Sequence, residues 1–255
     1  MTHYSRWQVP REFDRLASTY ARCRTAKSER EGREFADWFG LRSQESVLDA
    51  ACGPGTLAGI MARRCARTFA LDISPRMLEL ARRHDRLRQA PLTVGDVETL
   101  PYAGGTFDVV TCTYAFANFR QPLSVLREFA RVTRADGRIA IIDVVAPADP
   151  KRRSRLNQAE ALRSHLDTHI LSRGQFLKLF KAAGLVVLRS ACHSSCQSVR
   201  EWLERSPARI KRPARIREVL PKLVDGARAE PRSGQRTSGP FVSYTTQWFV
   251  LCKRT

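Results

Sequence analysis

Nowhere in the 255-residue chain is there a run of about eighteen apolar residues, the length a helix needs to cross a lipid bilayer. Met1 to Pro10 holds Arg6 and Trp7 but no apolar stretch of the kind that directs secretion. These two absences predict a cytoplasmic protein with no transmembrane segment. Cysteine is sparse and odd in number, seven in all, and Cys52, Cys65, Cys112 and Cys252 fall in apparent strands and helices, so buried free thiols are expected rather than a disulfide framework. Acidic residues are short too: 25 Asp and Glu face 44 Lys and Arg, for a net charge of +19. The imbalance is local, because residues 148–255 hold 22 basic and 8 acidic residues whereas residues 1–147 hold 22 and 17. A basic block suits a nucleic acid, an anionic membrane surface or an acidic small molecule, and equally a solvated surface. Internal repeats and long low-complexity tracts are also missing.

What is present begins with an apolar fraction of 43%, enough for a real core in one α/β domain or a domain with a cap. The chain is organised around Ser46 to Gly59, SVLDAACGPGTLAG. Val47 and Leu48 lead into Asp49, the glycines Gly53 and Gly55 follow, and Leu57, Ile60 and Met61 then recur at helical spacing. The pattern is strand, tight glycine turn, helix. Bare main chain at the turn and free N–H groups at the helix start make a seat for a ligand. Gly53, Gly55 and Ala58 match the G-x-G-x-x-G/A pattern of dinucleotide folds. Asp49 argues the other way: a fixed negative charge there would face a dinucleotide pyrophosphate but suits a ligand with an ammonium group, such as S-adenosylmethionine.

Along the chain, Phe13, Leu16, Ala17 and Tyr20 share a helical face, and Phe35, Trp38 and Phe39 mark a second helix ahead of the sheet. After the glycine turn, strands are predicted at Phe69–Leu71, Leu92–Val94, Phe107–Cys112 and Ile139–Val145, separated by helices at 57–67, from Ser74-Pro75 onward, and at 122–134, with Asp136-Gly137 as a turn. Strands alternating with helices mean a doubly wound, mostly parallel sheet with its ligand site at the carboxyl ends of the strands. Beyond Pro147 come a basic helix over 150–170, a capping box at Ser172 and Gln175, a strand at 185–188, arginine-rich helices over 198–225, a Gly/Pro/Ser loop and a final strand over 242–252.

Acids end three successive strands. Asp49 is the first, Asp72 the second, placed to accept from ribose hydroxyls, and Asp96 the third, placed to accept from an adenine amino group beside the N–H of Val97. Together they make a cup for an adenosyl group with a positive tail. The segments VLDAACGPGTLA, ALDISPRML, VGDVETLPY, FDVVTCTYAFANF and LREFARVTRADGRIAIID, in that order, resemble the consecutive motifs of class I S-adenosylmethionine-dependent methyltransferases. Within that family the chain is similar to the ubiquinone/menaquinone-biosynthesis C-methyltransferases and their small-molecule relatives, and FDRLASTY is similar to their leading helix. The resemblance implies a Rossmann-like methyltransferase fold: a seven-stranded sheet with its last strand antiparallel, so that residues 185–188 and 244–252 form a reversed hairpin at one edge. It also implies a helical lid over 1–39 and a methyltransferase domain over 40–255, with 148–171 and 191–240 as helical cover over the acceptor.

Carried over by residue, the resemblance puts Asp49, Ala51, Gly53 and Gly55 at the methionine end, Asp72 and Ile73 at the ribose, and Asp96 and Val97 at the adenine. Thr113 would flank the donor, Met77 the adenine edge and Tyr20 the methionine carboxylate. Ala51 stands where many relatives have glycine. The D/N-P-P-[YF] motif of amino-methyltransferases is missing, replaced by Thr113-Tyr114-Ala115-Phe116. The expected function is methyl transfer to C or O of a small aromatic or hydrophobic acceptor, leaving S-adenosylhomocysteine; a nucleic-acid methyltransferase using the basic C-terminal part is the alternative. No metal is called for and no catalytic residue is assigned. His165 and His169, four apart, would share a helix face as a metal pair or a base. Cys192-His193 with Cys196 resembles half a metal site without its other half, which favours structural thiols.

Overall fold

The computed structural model describes residues 8–22, 26–65, 67–163, 169–198 and 241–254. Helices α1 (Gln8–Arg22) and α2 (Ala26–Trp38) precede β1 (Ser46–Ala50), α3 (Thr56–Met61), β2 (Arg67–Asp72), α4 (Pro75–Ala81) and β3 (Leu92–Val94). Next come β4 (Phe107–Thr113), α5 (Pro122–Val132), β5 (Thr133–Val145), α6 (Pro150–Arg163), α7 (Arg173–Ala182), β6 (Leu185–Ser198) and β7 (Phe241–Lys253). The strands form one seven-stranded sheet in the order β3-β2-β1-β4-β5-β7-β6. Pairing is parallel from β3 to β5, and β7 runs antiparallel to both β5 and β6. The chain reverses direction of travel across the sheet after β3, so the crevice at the carboxyl ends of β1 and β4 is where a doubly wound sheet takes its ligand.

The inner strands are apolar on both faces because helices cover both. Val47, Val109, Ala140, Ile142 and Trp248 pack against α2 and α3 through Phe35, Leu57, Ile60 and Met61. Their neighbours in sequence, Leu48, Val110, Ile139, Ile141 and Phe249, face α5 and α7 through Leu126, Phe129, Phe176 and Phe180. Local sequence sets the helix ends as expected: Ser74 caps α4 by accepting the Met77 N–H (3.1 Å), with Pro75 at the first position. Ser172 and Gln175 close a capping box on α7.

Three local expectations are corrected. Strand β5 begins at Thr133, so Asp136-Gly137 lies inside it; the pairing jumps from Phe107–Thr133 to Val109–Arg138, and the intervening residues bulge out without ending the strand. Gly137 is needed there because a Cβ would stand 2.7 Å from Asp108 O. Strand β6 runs to Ser198, paired along β7 as far as Phe241, so residues 191–198 are strand where helical cover was expected. Helix α6 ends at Arg163 and His169 is not helical, while His165 lies outside the described residues, so a shared helix face for the two histidines is not seen. The arginine-rich helices expected over 198–225 lie, apart from Ser198 in β6, outside the described residues, as does the Gly/Pro/Ser loop. Of the thiols, Cys52 and Cys112 are buried, Cys65 and Cys252 are half-buried, and Cys192 is exposed on β6; all five are free. No helix among the described residues is long and apolar enough to cross a membrane.

Candidate functional site

The first two acids meet at the carboxyl ends of β1 and β2. Asp49 pairs in register with Ala70 of β2 and Thr111 of β4, and it is 1% exposed. Its Oδ1 accepts the Thr111 hydroxyl (2.8 Å), and the nearby Ala58 N–H in the first turn of α3 favours its charged form. Its Oδ2 is buried with no partner among the described residues. Burial pushes Asp49 up to about 7, opposed by the Thr111 and Ala58 bonds and reinforced by the nearby charge of Asp72. A buried carboxylate oxygen with nothing to accept from is costly, and a cationic ligand group satisfies it.

The turn itself is built around Asp72. Its Oδ2 accepts the Gly53 N–H (2.8 Å) and its Oδ1 the Ser74 N–H (2.9 Å), so one carboxylate ties the glycine turn to the start of α4. Burial raises Asp72 to about 6, against the pull of the N–H groups of Ser74, Gly53 and Ile73. Each oxygen keeps lone-pair capacity for a ligand hydroxyl. Gly53 has a left-handed φ of 52°, and a Cβ there would meet nothing within 4 Å, so its bare face looks onto open space. Ala51 shares that left-handed region at φ 57°, which gives glycine at this position a conformational reason.

Gly55 has a packing role. A Cβ on it would lie 2.7 Å from Ala81 Cβ and 3.0 Å from Leu87, so its missing side chain lets the α3 turn approach α4. Met77 is likewise 1% exposed and packed in the core, closed to a ligand. Ile73 is half-buried beside Asp72. Asp96 is half-buried and holds the Glu98 N–H on its Oδ1 (2.9 Å), with Val97 buried next to it. Tyr20 is 40% exposed near the end of α1, the helix packed on α4. Thr113 ends β4, half-buried, and the residue after it, Tyr114, takes a left-handed φ of 55°.

Five supporting residues were not singled out in the sequence reading. Asp143, 4% exposed at the end of β5, accepts the N–H groups of Ala115 (3.1 Å) and Phe116 (2.9 Å) on Oδ2 and of Val144 (2.8 Å) on Oδ1, fixing the loop after Thr113. Burial raises it to about 7. Thr111 orients Asp49. His84 pairs through Nε2 with Pro54 O (3.1 Å) behind the glycine turn. Asp14 on α1 accepts the Ser74 hydroxyl (2.6 Å), and Glu31 on α2 accepts the Tyr114 hydroxyl (2.7 Å), which ties both N-terminal helices to the rim. The one legible signal was a lone acid in the apolar run Ile139 to Val145.

A family model described as a methyltransferase domain matches residues 48–141, the segment from β1 into β5 that carries Asp49, Asp72 and Asp96 but not Asp14, Glu31 or Asp143. The chain is therefore similar to methyltransferase domains over that segment. It is 37% identical over 105 residues to a demethylmenaquinone methyltransferase of Thermotoga maritima, covering 40% of this chain and 45% of that one. To YcgJ of Bacillus subtilis, named an uncharacterised methyltransferase, it is 31% identical over 139 residues, 52% of this chain and 55% of the other. The solved structure of YcgJ superposes with a TM-score of 0.68 over 89% of this chain and 97% of that one, at 22% identity, which establishes a shared Rossmann-like fold. The chain spans about half the length of these two curated relatives in sequence.

Proposed function

We propose that the protein moves a methyl group from S-adenosylmethionine to C or O of a small aromatic or otherwise hydrophobic acceptor. The observation that carries the donor is the buried, unpartnered Asp49 Oδ2 in a turn whose Gly53 faces open space. That donor set fits an ammonium-bearing ligand and disfavours a pyrophosphate. In this reading Asp49, Ala51 and Gly53 hold the methionine end, Asp72 and Ile73 the ribose, Asp96 and Val97 the adenine, and Thr113 lies beside the methyl. Gly55 and Met77 support the cup by packing, and Tyr20 on α1 lies toward the methionine carboxylate.

The donor, when bound, would supply an already activated sulfonium methyl to the acceptor carbon or oxygen, whose proton would pass to solvent while the carbon–sulfur pair stays with S-adenosylhomocysteine. The chain's task is to align and dry the two partners, for which about 7–11 kcal/mol of entropy and solvent reorganisation is available. A hydrophobic acceptor is supported by the likeness to enzymes named for demethylmenaquinone. The lid reading rests on α1 and α2 reaching the rim through Asp14 and Glu31. The nucleic-acid alternative rests on the basic charge of residues 148–255 alone, and nothing in the described residues favours it. Incubation with labelled donor and, separately, lipid extract, small-metabolite extract and total RNA tests the reading. Label is expected in low-mass products; stoichiometric label in RNA, or in nothing, would overturn it.

A further inference from the structure

An open groove of about 540 Å³ lies between α6 and His169. Arg153, Ser154, Asn157, Gln158 and His169 line it together with the apolar Pro150 and Ala161. Backbone contacts fix its place. Ala146, just past β5, donates its N–H to Leu171 O (2.9 Å), and His169 donates its own to Ala117 O (3.0 Å) in the loop after β4. Asn157 Oδ1 then accepts the Ile170 N–H (3.0 Å), lacing α6 to the same segment. Residues 169–171 are therefore held to the segments that follow β4 and β5, at the carboxyl ends of those strands.

Its chemistry is one-sided. Asn157 spends its oxygen on Ile170, which leaves its amide nitrogen to donate. Gln158 Nε2 donates to Ser154 Oγ (3.2 Å), so the Ser154 hydrogen is directed elsewhere. The Arg153 guanidinium makes one long bond, 3.4 Å to Ala148 O. No carboxylate lines the groove among the described residues. Glu160, the only acid within α6, is 5% exposed and accepts the Tyr244 hydroxyl (3.2 Å), while Asp149 accepts the Arg152 N–H (2.7 Å) at the helix start. Lys151, Arg152 and Arg155 add positive charge around it, and the first turns of α6 add the positive end of the helix dipole. Donors clustered in a positive field, with apolar surface alongside, select an anion on an apolar body.

We propose that this groove seats a carboxylate or phosphate group of the methyl acceptor, with Arg153 as its principal contact and the rest of the acceptor on the Thr113 side. This deepens the methyltransferase reading and rests on it. The test titrates the full chain, with S-adenosylhomocysteine present, with pyrophosphate, benzoate and the neutral benzyl alcohol, by calorimetry. Saturable binding of at least one anion is expected, with benzyl alcohol inert; tighter pyrophosphate marks a phosphorylated acceptor and tighter benzoate a carboxylic one. Arg153→Gln should weaken the anion at least tenfold. Arg67→Gln, the same charge change at the exposed amino end of β2, should alter it less than twofold. Anion binding that is absent, that both variants weaken equally, or that benzyl alcohol matches would overturn the proposal. S-adenosylhomocysteine affinity is read in parallel: retained affinity in Arg153→Gln isolates the groove from the donor site, and no affinity in the wild type strikes the methyltransferase reading instead.

Discussion

Asp49 is held at about 7 by burial, so near neutrality it is poised between an acid and a carboxylate. An ammonium group requires the carboxylate. Donor affinity should therefore rise as pH is raised through about 7, and binding below that value should release a proton, visible as calorimetric enthalpies that differ between phosphate and Tris buffers. Asp49→Asn should flatten this pH dependence and weaken S-adenosylhomocysteine by about 1.5–3 kcal/mol, the scale of a charged hydrogen bond; a flat wild-type profile would remove Asp49 from the donor site. The two glycines of the turn separate space from packing. Gly53→Val should abolish donor binding while leaving the thermal midpoint within a few degrees, because its side chain enters open space at the cost of a strained φ. Gly55→Val should instead unfold or strongly destabilise the protein, because it drives a side chain into Ala81 and Leu87. Equal stability loss in both would contradict the division.

Among the elements, the loop after β4 depends on Asp143, which anchors three backbone N–H groups from a buried site. Asp143→Ala should destabilise the fold by about 2–4 kcal/mol, since buried donors left unpaired cost about 1–3 kcal/mol each, and denaturant unfolding measures it; a loss below about 1 kcal/mol would mean the loop holds itself. The strand–turn–helix at Ser46 and the alternation that follows were legible because apolar runs, glycine and cap residues each act locally. Asp143 was not legible as an anchor, because its partners lie 27 and 28 residues away across the sheet. Gly55 was legible as a glycine but not in its role, since the atoms it makes room for belong to α4 and the turn after it. The extension of β6 was hidden because Ser190, Cys192, His193 and Ser194 are exposed on an edge strand and show no apolar alternation, their strand state being set by β7. The β5 bulge was hidden for a like reason: Asp136-Gly137 carries a turn signal that pairing overrides.

At the scale of the whole molecule, three buried acids, Asp49, Asp72 and Asp143, sit toward the carboxyl ends of the parallel strands β1, β2 and β5 and titrate at about 7, 6 and 7. In an unfolded chain such groups titrate near 4, so between about pH 4 and 7 the folded state holds protons that the unfolded state has released. Folding stability should accordingly fall as pH rises across that window, with the full penalty present above about 7. Asp108 and Glu128, held low by their bonds and paired arginines, act only below the ordinary carboxylate range and leave the window clear. A higher thermal midpoint at pH 5.5 than at pH 8 is expected, and the reverse order would show that the three acids are not held as described. All three carboxylates sit where the donor and acceptor are proposed to meet, which makes ligand charge the deciding property of this molecule. The most direct measurement is a calorimetric titration of the wild-type chain with S-adenosylhomocysteine and, separately, with NAD at pH 7.5: one-to-one binding of the first with no heat from the second is the predicted result, and binding of NAD, or of neither, would contradict it.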